Sequence, residues 1–253
     1  MAITPDELDK LNKELEIALD NKDSYEAFKR ENFPVNSTRD AVQAYCIRLF
    51  EKFNLFDVIA AESGMLNNGP DDTHYRGRVM EKALNGHFDG RPEKDFPWGE
   101  LKCAETKLNS STELQQIITC GVIFTAVRKP EYNIVTDYYK SHFFTKMEDT
   151  LLITYFKDGR LGKEVNNVCT FSIRDPRWAS RLKEDWESIR DEIILAIEGE
   201  RNGTVVRKRS GICKSDSGTG PRSKSRRPNG LLGIRNDSVI ITPQFFREII
   251  SAQ

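Results

Sequence analysis

Residues 95–107 read DFPWGELKCAETK, and the way this stretch turns and then extends sets the reading of the rest of the chain. From Glu100 onward the pattern is that of a strand, so Glu100 and Lys102 share one face while Leu101 and Cys103 take the other. Just before the strand, Pro97 and Gly99 mark a turn that can return the Asp95 carboxylate to the Glu100 face. Two carboxylates and an ammonium then converge. Such a set suits Mg²⁺, a hard ion that takes one or two protein carboxylates and completes its shell with water and phosphate oxygens. An ion held there activates water and polarises a phosphodiester, and Lys102 is placed to hold the attacking water or to offset charge developing on phosphate. The competing reading is that Glu100 and Lys102 form a solvated strand face.

Upstream, the Asn-Gly-Pro content of MLNNGPDDTHY (residues 65–75) predicts a turn, and Tyr75 to Asn85 a short helix carrying Arg78 and Glu81. Glu81 is a candidate third carboxylate, although it can equally pair with Lys82 or Arg78 on the helix surface. Further back, Thr4 as N-cap and Pro5 in the first turn open a helix to about Glu31, with Leu8, Leu11, Leu15 and Leu19 on one face. A second helix from Ser37 or Thr38 carries Val42, Tyr45, Leu49 and Phe53. Residues 1–70 thus form an N-terminal helical region ahead of a second region, 71–253.

Downstream, strands are expected at Ile117 to Val127 and Leu151 to Phe156, the latter closed by an Asp158-Gly159 turn. Lys146 stands just before that second strand and can reach the same phosphate, or simply flank it in solvent. Trp178 to Glu198 has helical spacing, with Leu182, Trp186, Ile189, Ile193 and Ile197 on or near one face. Short strands follow at Thr204 to Arg209 and Leu231 to Arg235, and Thr242-Pro243 caps a last helix through Ile250. Helices around a central mixed sheet with late strands give an α/β or α+β fold.

Composition narrows the function classes. The 253 residues carry 38 Lys+Arg against 39 Asp+Glu, and 38% are hydrophobic, enough for a real core and too balanced for a uniformly basic nucleic-acid binder. No apolar run approaches the ~18 residues of a membrane span, so no membrane partner is expected. The N-terminus lacks the basic-then-apolar order of a signal peptide, and five scattered cysteines suit reduced thiols, which predicts a soluble cytoplasmic protein. No Cys or His pair has zinc-like spacing, and His74, His87 and His142 have no assigned role.

The neutral total hides an imbalance. From Arg201 to Arg235 there are ten Lys or Arg against one acid, Asp216, so this window holds about nine positive charges and the rest of the chain is acidic. Gly218, Gly220, Pro221, Pro228 and the serines around them suit a flexible basic loop, whereas the clustered cations suit a phosphate-binding surface.

The motifs taken in order resemble a known family. Tyr75-Arg-Gly-Arg-Val-Met-Glu81 followed by Asp95-Phe-Pro-Trp-Gly-Glu100-Leu-Lys102 is similar to the core of the MutH-like branch of the PD-(D/E)xK nucleases. That branch holds a mismatch-repair nicking endonuclease and several type II restriction endonucleases. Ser141-His-Phe-Phe-Thr-Lys146 before Leu151-Leu-Ile-Thr-Tyr-Phe resembles the family's strand with its auxiliary lysine. Asp185-Trp-Glu-Ser-Ile189 resembles its later helix, and Gly211-Ile-Cys-Lys214 with Leu231-Leu-Gly-Ile-Arg235 its late strands around the DNA-reading loop. The likeness covers roughly residues 71 to 250.

The resemblance implies a restriction-endonuclease-like core and Mg²⁺-dependent cleavage of double-stranded DNA. It implies Asp95 and Glu100 as metal ligands, Glu81 as a supporting carboxylate, Lys102 as the catalytic lysine and Lys146 as an auxiliary. It also turns the basic window at 201–235 toward DNA, with Lys214, Arg222, Lys224, Arg226 and Arg227 as candidate contacts that the sequence does not sort between bases and phosphates. The chain departs from the family pattern in three places: the gap from Asp95 to Glu100 is shorter with parity kept, Lys94 replaces the usual proline, and Lys214-Ser215 replaces Lys-Gly ahead of an insert, Asp216 to Asn229. The leading expectation is a type II restriction enzyme acting as a monomer or homodimer. The alternatives are a mismatch-repair nickase and a DNA-binding module without catalysis.

Overall fold

The computed structural model describes residues 5–36, 38–53, 58, 80–81, 83–84, 94–109, 112–118, 122–126, 137–156, 165–201, 230–235 and 238–253. In chain order these form α1 (Pro5–Asn32), α2 (Arg39–Lys52), β1 (Glu100–Asn109), β2 (Thr112–Ile118), β3 (Val122–Ala126), α3 (His142–Met147), β4 (Asp149–Phe156), β5 (Val165–Ser172), α4 (Ala179–Arg201), β6 (Leu232–Arg235), β7 (Ser238–Ile241) and α5 (Pro243–Ser251). A 3₁₀ turn, Tyr138–Lys140, precedes α3. The fold is mixed α/β, and the chain divides into two units: Met1–Lys107 with Leu151–Thr170, and Leu108–Thr150 with Phe171–Gln253.

In the first unit, α2 begins where its sequence dictates, with the Thr38 hydroxyl accepting the Ala41 N–H and Asp40 in the first turn. Its buried positions Val42, Tyr45, Cys46 and Leu49 follow the helical period. They join Tyr25 of α1, Leu101 of β1, and Leu151, Ile153 and Tyr155 of β4 in one apolar core. Alternate residues of β1 and β4 therefore face the helices, and Cys103 packs against the same cluster. Because Leu49 is fully buried, Leu49→Ala should destabilise the protein by about 2–5 kcal/mol; denaturant melts followed by circular dichroism read this directly.

The strands of this unit lie in the order β1-β4-β5. On the face away from the core, Asn166 of β5 binds a threonine on its neighbour β4 and one on β1 beyond it. Its amide donates to Thr106 Oγ1 at 2.8 Å and its carbonyl accepts from Thr154 Oγ1. Thr106 in turn donates to the Tyr155 carbonyl at 3.1 Å. Gln43 ties α2 to β5, accepting from Thr170 Oγ1 at 2.9 Å and donating to the Val168 carbonyl. The strand β5 was not expected, since Asn166 and Asn167 interrupt any apolar alternation.

The second unit holds an antiparallel sheet in the order β3-β7-β6, with Val122 opposite Ile241, Leu232 opposite Ile241 and Ile234 opposite Val239. Helix α4 buries Leu182, Trp186, Ile189 and Ile193 at the expected spacing. Helix α5 starts at the expected Thr242, whose hydroxyl accepts the Phe245 N–H at 3.2 Å, and buries Phe245, Phe246 and Ile249. Phe245 meets Phe171 and Trp178 edge to face, at centroid distances of 5.7 and 5.4 Å.

Three expectations are corrected. The single strand from Ile117 to Val127 is two strands, β2 and β3, with Gly121 in the sequence between them, a residue that brings no side chain to a sheet. Leu19, expected on the packed stripe of α1, is 55% exposed, and the helix instead buries Tyr25 further along. Phe53 ends α2 as its C-cap rather than lying within it, though it is buried as expected. The turn at 65–75 and the strand at Thr204 to Arg209 lie outside the described residues, as does most of the helix from Tyr75 to Asn85, of which Met80, Glu81 and Ala83 are helical. Among the described residues no helix is long and apolar enough to cross a membrane.

Candidate active site

Asp95 and Glu100 stand at the two ends of a tight turn. The Phe96 N–H donates to the Gly99 carbonyl at 2.9 Å and the Gly99 N–H returns a bond to the Phe96 carbonyl at 3.2 Å. The Phe96 and Trp98 rings stack inside this turn, with centroids 5.1 Å apart and planes within 2° of parallel. Phe96 is buried in the core and Trp98 packs against it, so the turn is held from beneath. Across it, Asp95 Oδ2 accepts the Leu101 N–H at 2.8 Å. The carboxylate thus comes back to the strand that carries Glu100, as the Pro/Gly turn predicts.

Glu100 is not on a solvated face. It is 1% exposed, and its Oε1 accepts from Lys102 Nζ at 2.6 Å. Asp95 is also buried, at 8%. A buried ion pair is costly to desolvate, with an effective penalty of several kcal/mol per ion, and is weak evidence for a purely stabilising role.

Cys103 measures what surrounds it. Its thiol is pushed up to about 12, first by burial and then by the charge of Glu81, with Lys102 opposing and Asp95 adding. Glu81, Asp95 and Lys102 thus all bear electrostatically on the Cys103 thiol. The Cys169 thiol is likewise pushed up to about 12 by burial, and that of Cys46 higher still. Because only the thiolate reacts, Cys46, Cys103 and Cys169 should resist iodoacetamide at pH 8 in the folded protein and be alkylated in urea, as mass spectrometry would record.

Among the described residues no three His, Cys, Asp or Glu side chains are gathered to hold a metal ion. The expected trio is seen instead as a buried pair, Asp95 and Glu100, with a half-buried Glu81 felt at Cys103. Carboxylates repel one another where no cation intervenes. The pair still fits Mg²⁺ by the chemistry of its donors, since two hard carboxylates are all this ion asks of a protein.

Lys146 lies on α3, in the second unit, and is half-buried. Lys214, Arg222, Lys224, Arg226 and Arg227 lie outside the described residues. Sequence reasoning gave no role to Phe96, Trp98 or Cys103; the only signal for the first two was a pair of aromatics inside a four-residue turn. No family model matches the chain, and no curated protein matches it significantly.

Proposed function

We propose that the chain is a Mg²⁺-dependent, sequence-specific endonuclease of double-stranded DNA, of the type II restriction class, built on a restriction-endonuclease-like core of the MutH-like branch. The observation that carries this reading is the buried Glu100–Lys102 ion pair beside an Asp95 returned by its turn. A strand that merely faced solvent would leave all three hydrated. A binding module gains nothing from carboxylates that repel phosphate, which weighs against a role without catalysis.

In this reading Asp95 and Glu100 hold the ion and Glu81 supports them. When bound, Mg²⁺ supplies a polarised phosphate and a water of lowered pKa. Lys102 keeps its ammonium at the Glu100 carboxylate, from where it can orient the attacking water or offset charge as the P–O bond breaks. Lys146 is the auxiliary cation, and the basic residues between Arg201 and Arg235 hold the DNA backbone and read bases.

Supercoiled plasmid tests the proposal. Linear product with Mg²⁺ and no partner protein is the expected result; nicked circles alone would favour the mismatch-repair type of enzyme, and uncut plasmid would refute the proposal. A second measurement does not depend on activity. At about 100 times its dissociation constant Mg²⁺ should stabilise the fold by about 2.7 kcal/mol in thermal melts, and Glu100→Gln should remove most of that gain.

A further inference from the structure

Tyr25, on α1, is fully buried, and its hydroxyl donates to the Ala83 carbonyl at 2.9 Å, a contact between segments 58 residues apart in sequence. Ring packing does not require that hydroxyl. The Tyr25 ring meets Phe53 edge to face at 5.9 Å and lies under Lys29 Nζ at 5.6 Å, and a phenylalanine would fill the same space. The acceptor is what requires it. Met80, Glu81 and Ala83 are helical, and Leu84 lies in the turn that follows, its N–H donating to the Met80 carbonyl at 3.1 Å. Ala83 therefore stands at the C-terminal end of this helix, where the last carbonyls have no partner within the helix. A buried carbonyl left unbonded is costly, and the Tyr25 hydroxyl supplies the missing donor.

The helix end so held carries Glu81. Met80, Ala83 and Leu84 are buried in the same apolar cluster as Tyr25 and the packed face of α2. Glu81 itself is half-buried, and its charge is felt at the Cys103 thiol of β1. Helix α1, this helix end and the first part of β1 all belong to one unit of the chain. Apolar contacts are non-directional, so they seat a helix end without fixing its rotation. A hydrogen bond to its carbonyl is directional and does fix it. Mg²⁺ demands near-ideal octahedral geometry at about 2.0–2.1 Å, so a small rotation of the helix end changes what Glu81 contributes to the ion.

We infer that Tyr25 is a positioning residue for the metal site: its hydroxyl fixes the helix end that carries Glu81, which makes the N-terminal helices part of the frame of the site. The inference rests on the proposed Mg²⁺-dependent function and on Glu81 as its supporting carboxylate.

The test uses the full-length protein and Tyr25→Phe, which keeps the ring and removes the donor. The Mg²⁺ concentration giving half of the maximal thermal stabilisation is measured without DNA, beside the Mg²⁺ dependence of plasmid cleavage and the KM for DNA. Tyr25→Phe should need about threefold more Mg²⁺ in both measurements, an effect on the order of one hydrogen bond, with KM for DNA at saturating Mg²⁺ unchanged. Glu81→Gln should raise the requirement too, and adding Tyr25→Phe to it should raise it no further, because both changes act through one carboxylate. Leu49→Val loosens the same core and leaves the bond alone; it should lower the melting temperature without moving the Mg²⁺ requirement.

An unchanged Mg²⁺ requirement in Tyr25→Phe or in Glu81→Gln overturns this role and leaves the proposed function standing. So does an equal shift in Leu49→Val, or a shift that Tyr25→Phe adds in full to that of Glu81→Gln, since Tyr25 would then be merely structural. A Tyr25→Phe protein that fails to fold has the same meaning. Absence of Mg²⁺-dependent cleavage by the unaltered protein overturns the function itself, and this role with it.

Discussion

Glu100→Gln and Lys102→Ala should each lower single-turnover plasmid cleavage by about a thousandfold or more, while duplex DNA is still bound in Ca²⁺. The first change keeps the size of the side chain and removes the charge that would hold the ion; the second removes the ammonium 2.6 Å from that carboxylate. A single preorganised charge or donor at a reacting centre is worth about 10²–10³ in rate, and loss of a metal ligand compounds it. Cleavage at the original rate by either variant would refute the assignment.

The two substitutions should separate in stability. Lys102→Ala leaves a Glu100 side chain that is 2% exposed without its ammonium, at a cost of about 3–5 kcal/mol. Glu100→Gln leaves a lysine that is 17% exposed and better able to reach water, so its cost should be smaller. Melting curves for both variants would show this order, and they also establish that lost cleavage is not lost folding. A double variant, Glu100→Gln with Lys102→Met, should be more stable than Lys102→Ala alone, because neither charge is then buried.

Replacing Arg222, Lys224, Arg226 and Arg227 together with alanine should abolish most DNA affinity without touching the cleavage chemistry. Each phosphate neutralised adds about 0.9 to the slope of log K against log salt, so the slope should fall by up to about 3.6. If instead some of these arginines fork onto guanine edges, the slope falls less and discrimination between sequences falls more. Titrations at several salt concentrations on cognate and altered duplexes distinguish the two. An unchanged slope would remove the basic window from the DNA surface.

Much of the architecture was legible from local rules. Thr38 and Thr242 cap helices because their hydroxyls replace a missing backbone partner, and that depends only on neighbours in sequence. The strand from Glu100 and the helix through Trp186 announced themselves by period, which is equally local. Their ends came out within a few residues of expectation. Where the period was broken the reading failed: β5 contains Asn166, and its pairing beside β4, with the bonds from Asn166 to Thr106 and Thr154, depends on residues elsewhere in the sequence. Leu19 failed in the opposite sense, since an apolar spacing on α1 says nothing about whether another element arrives to cover it.

The candidate site divides in the same way. Sequence alone determined that Glu100 and Lys102 share a face of one strand and that Asp95 lies one turn away, because strand alternation and turn chemistry are properties of the backbone. It also located the charge imbalance that neutral composition conceals. Only the tertiary structure decided that Glu100 is buried rather than solvated, that Phe96 and Trp98 brace the turn, and that Asp185 reaches from α4 to the start of β6. Which face a side chain takes follows from its parity in the strand; whether that face meets water or protein depends on distant segments packing over it, and no local pattern records their arrival.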